Sequence, residues 1–286
     1  MGLARGACDA PLDAYLSADL LDEHAASRVV GATRPDRIFH LAAQASVGAS
    51  WHDPHATLNN NFTASLNLLE AVRSHAPQAR VLIACSGEEY GPPEGVPVDE
   101  TAPLRPQNPY AVSKAAADLL AGFYADARGL DVVRTRAFNH CGPGQGDAYV
   151  VAAFARQIAA AEAEGRPSVT LETGDLRPRR DFTDVRDVVR AYWLALERAN
   201  AGVYNVCSGV STPIADILAG LTRHSTLEIE QRTDERRVRE HEVMEIRGSH
   251  DKLTAATGWE PQIALSDTLR DTLEWWRERA AAGAVR

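Results

Sequence analysis

A tyrosine and a lysine four residues apart, in Tyr110-Ala-Val-Ser-Lys114, are the residues of this 286-residue chain whose types and spacing bear most directly on chemistry. On a helix, positions four apart share a face, so the phenol and the ammonium point the same way. A phenol near pKa 10 exchanges protons poorly at neutral pH, and bringing it to about 7 requires roughly 4 kcal/mol of preference for the phenolate. A fixed ammonium beside the ring, with a cofactor cation next to it, supplies such a preference. Upstream, the apolar run Arg80–Ala84 leads into Cys85-Ser86-Gly87-Glu88-Glu89-Tyr90-Gly91. This sets a hydroxyl just beyond the carboxyl end of a strand, where open α/β sheets bind ligands. Alone, Ser86 reads equally well as a turn or cap residue. The order Ser86, Tyr110, Lys114 on a strand end and a helix favours a hydroxyl that orients a substrate oxygen while the phenol delivers a proton.

The elements that must hold these groups follow from the apolar pattern. Residues 12–18 read as a strand and Ala25–Ala32 as a helix, and the strands Arg37–Ala42 and Arg80–Cys85 bracket one helix over about 55–75. A second long helix runs from about Pro109 to Arg128, followed by the strand Val132–Phe138. Strands that are apolar throughout, alternating with helices, predict an α/β chain with a doubly wound parallel sheet covered on both faces. After Gly142 the rhythm changes to short strands (Ser168–Thr173, Val203–Val206, Leu227–Gln231) among helices, with a Trp-rich helix near Trp275. The expected division is a Rossmann-like domain over 1–142, with later segments crossing back, and a smaller α/β lobe over 143–286.

Bulk properties narrow the class. A net charge of -9 without a lysine- or arginine-rich run argues against nucleic acid as a partner. No apolar stretch approaches the roughly 20 residues that span a bilayer, and the first residues lack the pattern of a signal peptide. The four cysteines, Cys8, Cys85, Cys141 and Cys207, lie far apart with no C-x-x-C pairing, so neither zinc nor disulfides are expected and a cytoplasmic location fits.

Ser86, Tyr110 and Lys114 together resemble the Ser–Tyr–Lys triad of the extended short-chain dehydrogenases/reductases. His40-Leu41-Ala42-Ala43-Gln44 is similar to that family's strand-end motif along the cofactor, Asp19-Leu20 to its adenine-contacting pair, and Asn61 to its helix asparagine. The likeness covers essentially the whole chain. It implies a Rossmann-like fold and an NADP cofactor, NAD being possible. The cofactor would lie against Arg5, Asp19, Leu20, Leu41, Ala42, Ala43, Tyr110, Lys114 and His140. It also implies a homodimer through the helices near 55–75 and 109–128, although Leu66, Leu69, Leu119 and Leu120 could equally be core.

Phe138-Asn139-His140 and Arg179-Arg180-Asp181-Phe182 resemble segments of the members that act on GDP-linked deoxyhexoses. By that resemblance Gln44, Ser86, Asn139, Arg180 and Arg239 meet the substrate, bidentate arginine being suited to a diphosphate. Glu240 stands where the family often has proline after the second arginine, which weakens the likeness at Arg239. Gly142-Pro-Gly-Gln145 and Ser86-Gly-Glu-Glu-Tyr-Gly91 are similar to the GDP-6-deoxy-4-keto-mannose reductases that form GDP-rhamnose. The dehydratases of GDP-mannose carry a double arginine where this chain has Gly144-Gln145. Glu88 stands where a dehydratase keeps the glutamate that moves the C5 proton, so Ser86, Glu88, Tyr110 and Lys114 form the expected catalytic set. A related epimerase remains a further alternative.

The family's glycine-rich G-x-x-G-x-x-G loop finds no counterpart before Asp19, and Met1–Arg5 looks like the end of the family's second strand. Losing two or three charge-assisted bonds to the cofactor pyrophosphate at ~1.5–3 kcal/mol each predicts very weak NADPH binding and essentially no turnover by the chain alone. Leu12–Ala18 is then expected to lack a neighbour, and the edge of Arg37–Ala42 to be bare. A non-catalytic remnant that binds nucleotide-sugar or a partner subunit is the competing expectation.

Overall fold

The structure is a computed structural model that describes residues 1–6, 11–235 and 243–283. Cys8 and Arg239 lie outside the described residues. The chain divides into two compact units. Unit 1 comprises Met1–Gly91, Pro103–Arg136 and Tyr192–Tyr204; unit 2 comprises Pro92–Ala102, Ala137–Ala191 and Asn205–Arg286.

In unit 1, the strands β1 (Gly2–Ala4) and β2 (Tyr15–Ser17) pair in parallel, Gly2 opposite Tyr15. The expectation that residues 12–18 lack a neighbour is thereby corrected, and only three of those residues are strand. Helix α1 (Glu23–Thr33) starts at Asp22, whose carboxylate accepts the His24 N–H. The main sheet has the order β3-β4-β5-β9, from β3 (Arg37–His40), β4 (Arg80–Ser86), β5 (Asp131–Ala137) and β9 (Gly202–Val206). Its first pair is parallel, and β3 stands at one edge of this sheet, as expected. Val81, Ile83 and Val132 from these strands pack with Leu68, Leu69 and Val72 in one apolar cluster, which is why the strands are apolar throughout.

The helix expected over 55–75 is interrupted. Two short helices, α2 (Val47–His52) and α3 (Pro54–Leu58), lead into a π-helical turn at Asn59–Thr63, and α4 (Ala64–His75) follows. The wide turn carries Asn61 to the Gln44 backbone: Oδ1 accepts the Gln44 N–H at 2.7 Å and Nδ2 donates to the Gln44 carbonyl at 3.0 Å. Helix α5 (Pro109–Arg128) is capped by Asn108, whose side chain accepts the Ala111 N–H, with proline in the first turn and Gly129 in the left-handed conformation at its end.

Unit 2 contains β6 (Asn139–Cys141), α6 (Val150–Ala163), β7 (Ser168–Thr173), β8 (Arg179–Asp184) and the first half of α7 (Val185–Arg198). It continues with β10 (Ser211–Pro213), α8 (Ile214–Thr222), β11 (Glu228–Thr233), β12 (Glu245–Ile246), α9 (Asp251–Thr257) and α10 (Leu265–Ala281). β8 lies between β10 and β12 and also pairs with β6, while β7 and β11 form a separate parallel pair. Phe154, Ile158, Leu171, Ile217, Leu273 and Trp276 form its core. Among the described residues no helix is long and apolar enough to cross a membrane.

Candidate active site

Ser86 ends β4 and begins a 3-10 turn, Gly87–Tyr90, with a reciprocal cap: its hydroxyl accepts the Glu88 N–H at 3.2 Å, and Glu89 accepts the Ser86 N–H at 2.7 Å. Ser86 is thus a cap residue, and its hydroxyl is near enough to the Tyr110 phenol to oppose the rise of its pKa. Gly91 closes the turn at φ 62, and a Cβ there would lie 1.9 Å from the Arg105 carbonyl oxygen, so the turn admits no side chain. Asn108 joins the two halves, because the side chain that caps α5 also donates to Glu88 Oε2 at 3.3 Å.

Lys114 is 8% exposed, and its Nζ donates to the Ala84 carbonyl at 2.7 Å. Burial lowers its pKa. The Tyr110 phenol is raised, whereas the lowering argued from the spacing invokes a cofactor cation beside the ring as well as the ammonium. Burial is the main cause and the Glu88 carboxylate adds to it, while the neighbouring Ser86 hydroxyl works in the opposite direction. A helical spacing fixes direction but not distance, and here the ammonium is anchored on the strand carbonyl.

His40, at the end of β3, is buried against Ser65 Oγ at 3.1 Å and pushed down to about 3 by burial and by Lys114, which keeps the imidazole neutral. Leu41 and Ala42 are exposed, and Ala43 and Gln44 are half-buried. The Gln44 side chain donates to Ser46 O and Thr57 Oγ1. Arg5 lies 3.9 Å from Asp19, and the Leu20 carbonyl accepts from Asn67. Ser86, Glu88, Tyr110 and Lys114 are therefore brought together in unit 1, with Asn108 as the connection that the sequence reading missed. Its signal was an N-cap residue immediately before Pro109.

Asn139, His140 and Arg180 belong to unit 2. His140 Nδ1 lies 3.3 Å from the Phe138 carbonyl, and Asn139 pairs with Phe182 across β6 and β8. Arg180 is buried on β8, and its guanidinium donates to the Arg179 carbonyl at 2.8 Å. The neighbouring Asp181 gathers the loops around it, accepting from Ser208 N and Oγ, Gly209 N and Gly248 N at 2.6–3.2 Å.

Comparison with known proteins places the chain in a family. The family described as GDP-mannose 4,6 dehydratase matches residues 12–272. GDP-6-deoxy-D-mannose reductase of Pseudomonas aeruginosa is 40% identical over 248 residues, 86% of this chain and 81% of that protein. GDP-mannose 4,6 dehydratase 2 of Arabidopsis thaliana is 32% identical over 269 residues, 88% of this chain and 69% of that protein. Among solved structures, RMD from Pseudomonas aeruginosa complexed with NADPH superposes with a TM-score of 0.86 at 38% identity, covering 93% of this chain and 90% of that one. UDP-glucose 4-epimerase of Thermus thermophilus in complex with NAD gives 0.80 at 34% identity, covering 92% and 84%. The chain belongs to the GDP-mannose 4,6 dehydratase family of extended short-chain dehydrogenases/reductases.

Proposed function

We propose that this protein is a nucleotide-sugar reductase that uses NADPH to reduce GDP-4-keto-6-deoxy-mannose at C4, giving GDP-rhamnose. The observation that carries the reading is the convergence of Ser86 at the end of β4 with Tyr110 and Lys114 on one face of α5, the Lys114 ammonium held on the Ala84 carbonyl. That arrangement sets a hydroxyl to orient a substrate oxygen beside a phenol that can deliver a proton to it. The Pseudomonas reductase supports the same direction.

The donor set fits the ribose and nicotinamide side of the cofactor. An ammonium has three donors, and that of Lys114 gives one to Ala84, so two can face ribose hydroxyls. Tyr110 stands one turn away, and Leu41, Ala42 and Ala43 offer backbone beside them. When bound, the cofactor supplies hydride. Tyr110 holds the proton for the C4 oxygen, and Ser86 orients that oxygen. Unit 1 is assigned to the cofactor, with Arg5, Asp19 and Leu20 toward the adenosine. Unit 2 is assigned to the GDP-sugar through Asn139, Arg180 and Arg239, with His140 toward the nicotinamide. Buried free Cys85, Cys141 and Cys207 suit a reducing cytoplasm.

In the chain joined to the family's glycine-rich segment, Tyr110→Phe is expected to lower kcat about 10²–10⁴-fold while KM stays within a few-fold, read from NADPH oxidation with the 4-keto sugar. An unchanged rate removes the phenol from the reaction. Glu88, half-buried and held by Asn108, favours the dehydratase as second reading. Conversion of GDP-mannose to the 4-keto sugar without net NADPH consumption would establish it.

We further propose a homodimer through α4 and α5. Leu69 is fully buried and is core, but Val112, Leu119 and Phe123 form an apolar stripe on α5, 41%, 64% and 49% exposed. Sedimentation at micromolar concentration is expected to show a dimer, and Leu119→Lys to show a monomer.

A further inference from the structure

Behind Ser86 two acids meet in the dry interior. Glu89 and Asp118 are both fully buried, and their carboxyl oxygens and the Cys85 Sγ lie within 4.8 Å of one another. Asp118 is well supplied: Arg134 donates to Oδ1 at 2.8 Å, and Arg136 Nε to Oδ2 at 2.6 Å. Glu89 uses Oε1 for the Ser86 N–H at 2.7 Å. Its Oε2 finds no hydrogen-bond donor among the described residues. Arg136 Nε is 3.6 Å from Oε2 and committed to Asp118, while Arg136 Nη1 donates to the Tyr90 hydroxyl at 3.0 Å.

A bare, buried carboxylate oxygen is one of the most expensive groups a protein can carry. A proton on Oε2 removes the charge and creates a donor, and Asp118 is the acceptor beside it. The other titratable groups around Glu89 are Lys114 and Tyr110 from α5 and Cys85 from β4. Burial, then repulsion by Asp118, hold the Glu89 proton well above the usual carboxylate range. A cation bound by Cys85, Glu89 and Asp118 is disfavoured, because two guanidiniums already occupy Asp118 and burial keeps the thiol protonated.

We propose that Glu89 is a positioning residue carried as the neutral acid: its proton lies in the contact with Asp118, and its other oxygen fixes the Ser86 amide and so the hydroxyl that meets Tyr110. Its catalytic consequence rests on the reductase reading given above; its protonation state does not.

Glu89→Gln is the direct test, since the amide keeps an oxygen for Ser86 and puts an N–H where the proton lies. Melted as the full chain without ligands, E89Q is expected to be at least as stable as the parent at neutral pH. Its advantage should widen as pH rises above the free-carboxyl value of 4.5 toward the raised folded value, because the amide has no proton to lose. An E89Q protein less stable than the parent at neutral pH would overturn the proposal, for Glu89 would then be an ionised partner of Arg136. Turnover supplies the second arm. Glu89→Leu should lower kcat about 10- to 100-fold, the cost of a misplaced hydroxyl, with KM within about twofold, whereas E89Q should retain the parent kcat. An unchanged kcat in E89L overturns the positioning role. Should E89L not fold, Glu89→Asp decides, since its shorter side chain withdraws the oxygen from Ser86, and an unchanged kcat again overturns the role. The kinetic arm is read in the chain joined to the family's glycine-rich segment; if that parent fails to oxidise NADPH with the 4-keto sugar, the reductase reading falls while the melts still judge Glu89.

Discussion

Glu89 in unit 1 and Asp181 in unit 2 are both fully buried acids, yet their surroundings supply them with donors very differently. Asp181 receives four hydrogen bonds, three from backbone amides and one from the Ser208 hydroxyl. Burial raises its pKa, but those donors oppose the rise. Glu89 receives one amide and faces a second carboxyl. Burial alone therefore does not decide whether an acid is charged; the number of donors aimed at it does.

The same chemical change at different places tests this contrast. Asp181→Asn turns an NH2 group toward amides that need an acceptor, and we expect a loss of roughly 2–4 kcal/mol in urea denaturation. An Asp181→Asn protein as stable as the parent would erase the difference between the two sites. Asp184→Asn should cost less, about 1.5–3 kcal/mol at neutral pH. Its carboxylate takes donors from Arg186 and Thr268, and these hold its pKa below the usual 3.8 against the effect of burial. A depressed carboxyl contributes stability above its unfolded value and loses it as pH falls through the folded one. The gap between parent and Asp184→Asn should therefore close as pH drops below 3.8, the free-aspartate value. The smallest change is expected at Glu89, where the amide should cost nothing. Its raised carboxyl runs the other way: the stability present below 4.5 is lost as pH rises toward the folded value.

How much of this was legible beforehand varies with the range of the interactions involved. The strands β3, β4 and β5 were readable because burial on both faces demands continuous apolar runs, and α5 because Asn108-Pro109 and Gly129 punctuate it. Ser86, Tyr110 and Lys114 were readable because their order and elements coincide. β8 was not read as a strand, since Arg179-Arg-Asp-Phe-Thr-Asp184 looks polar; Asp181 in it is satisfied by Ser208, Gly209 and Gly248, far along the chain. The π-helical turn was hidden for a similar reason. Asn59-Asn60-Asn61 fits a helix, and only Gln44 explains why it widens. The direction of the Tyr110 shift follows from its burial, and Lys114 is anchored on the Ala84 carbonyl, neither of which a spacing reveals.

The division of the chain into interleaved units also sets an order of events during synthesis. Unit 1 takes its last segment from Tyr192–Tyr204, so it cannot close until that stretch has left the ribosome. At about 5–20 residues per second, the nascent chain waits several seconds between completing β5 and receiving β9, its sheet neighbour. During that interval β5 offers an unpaired edge, an opening for chaperones and for wrong partners alike.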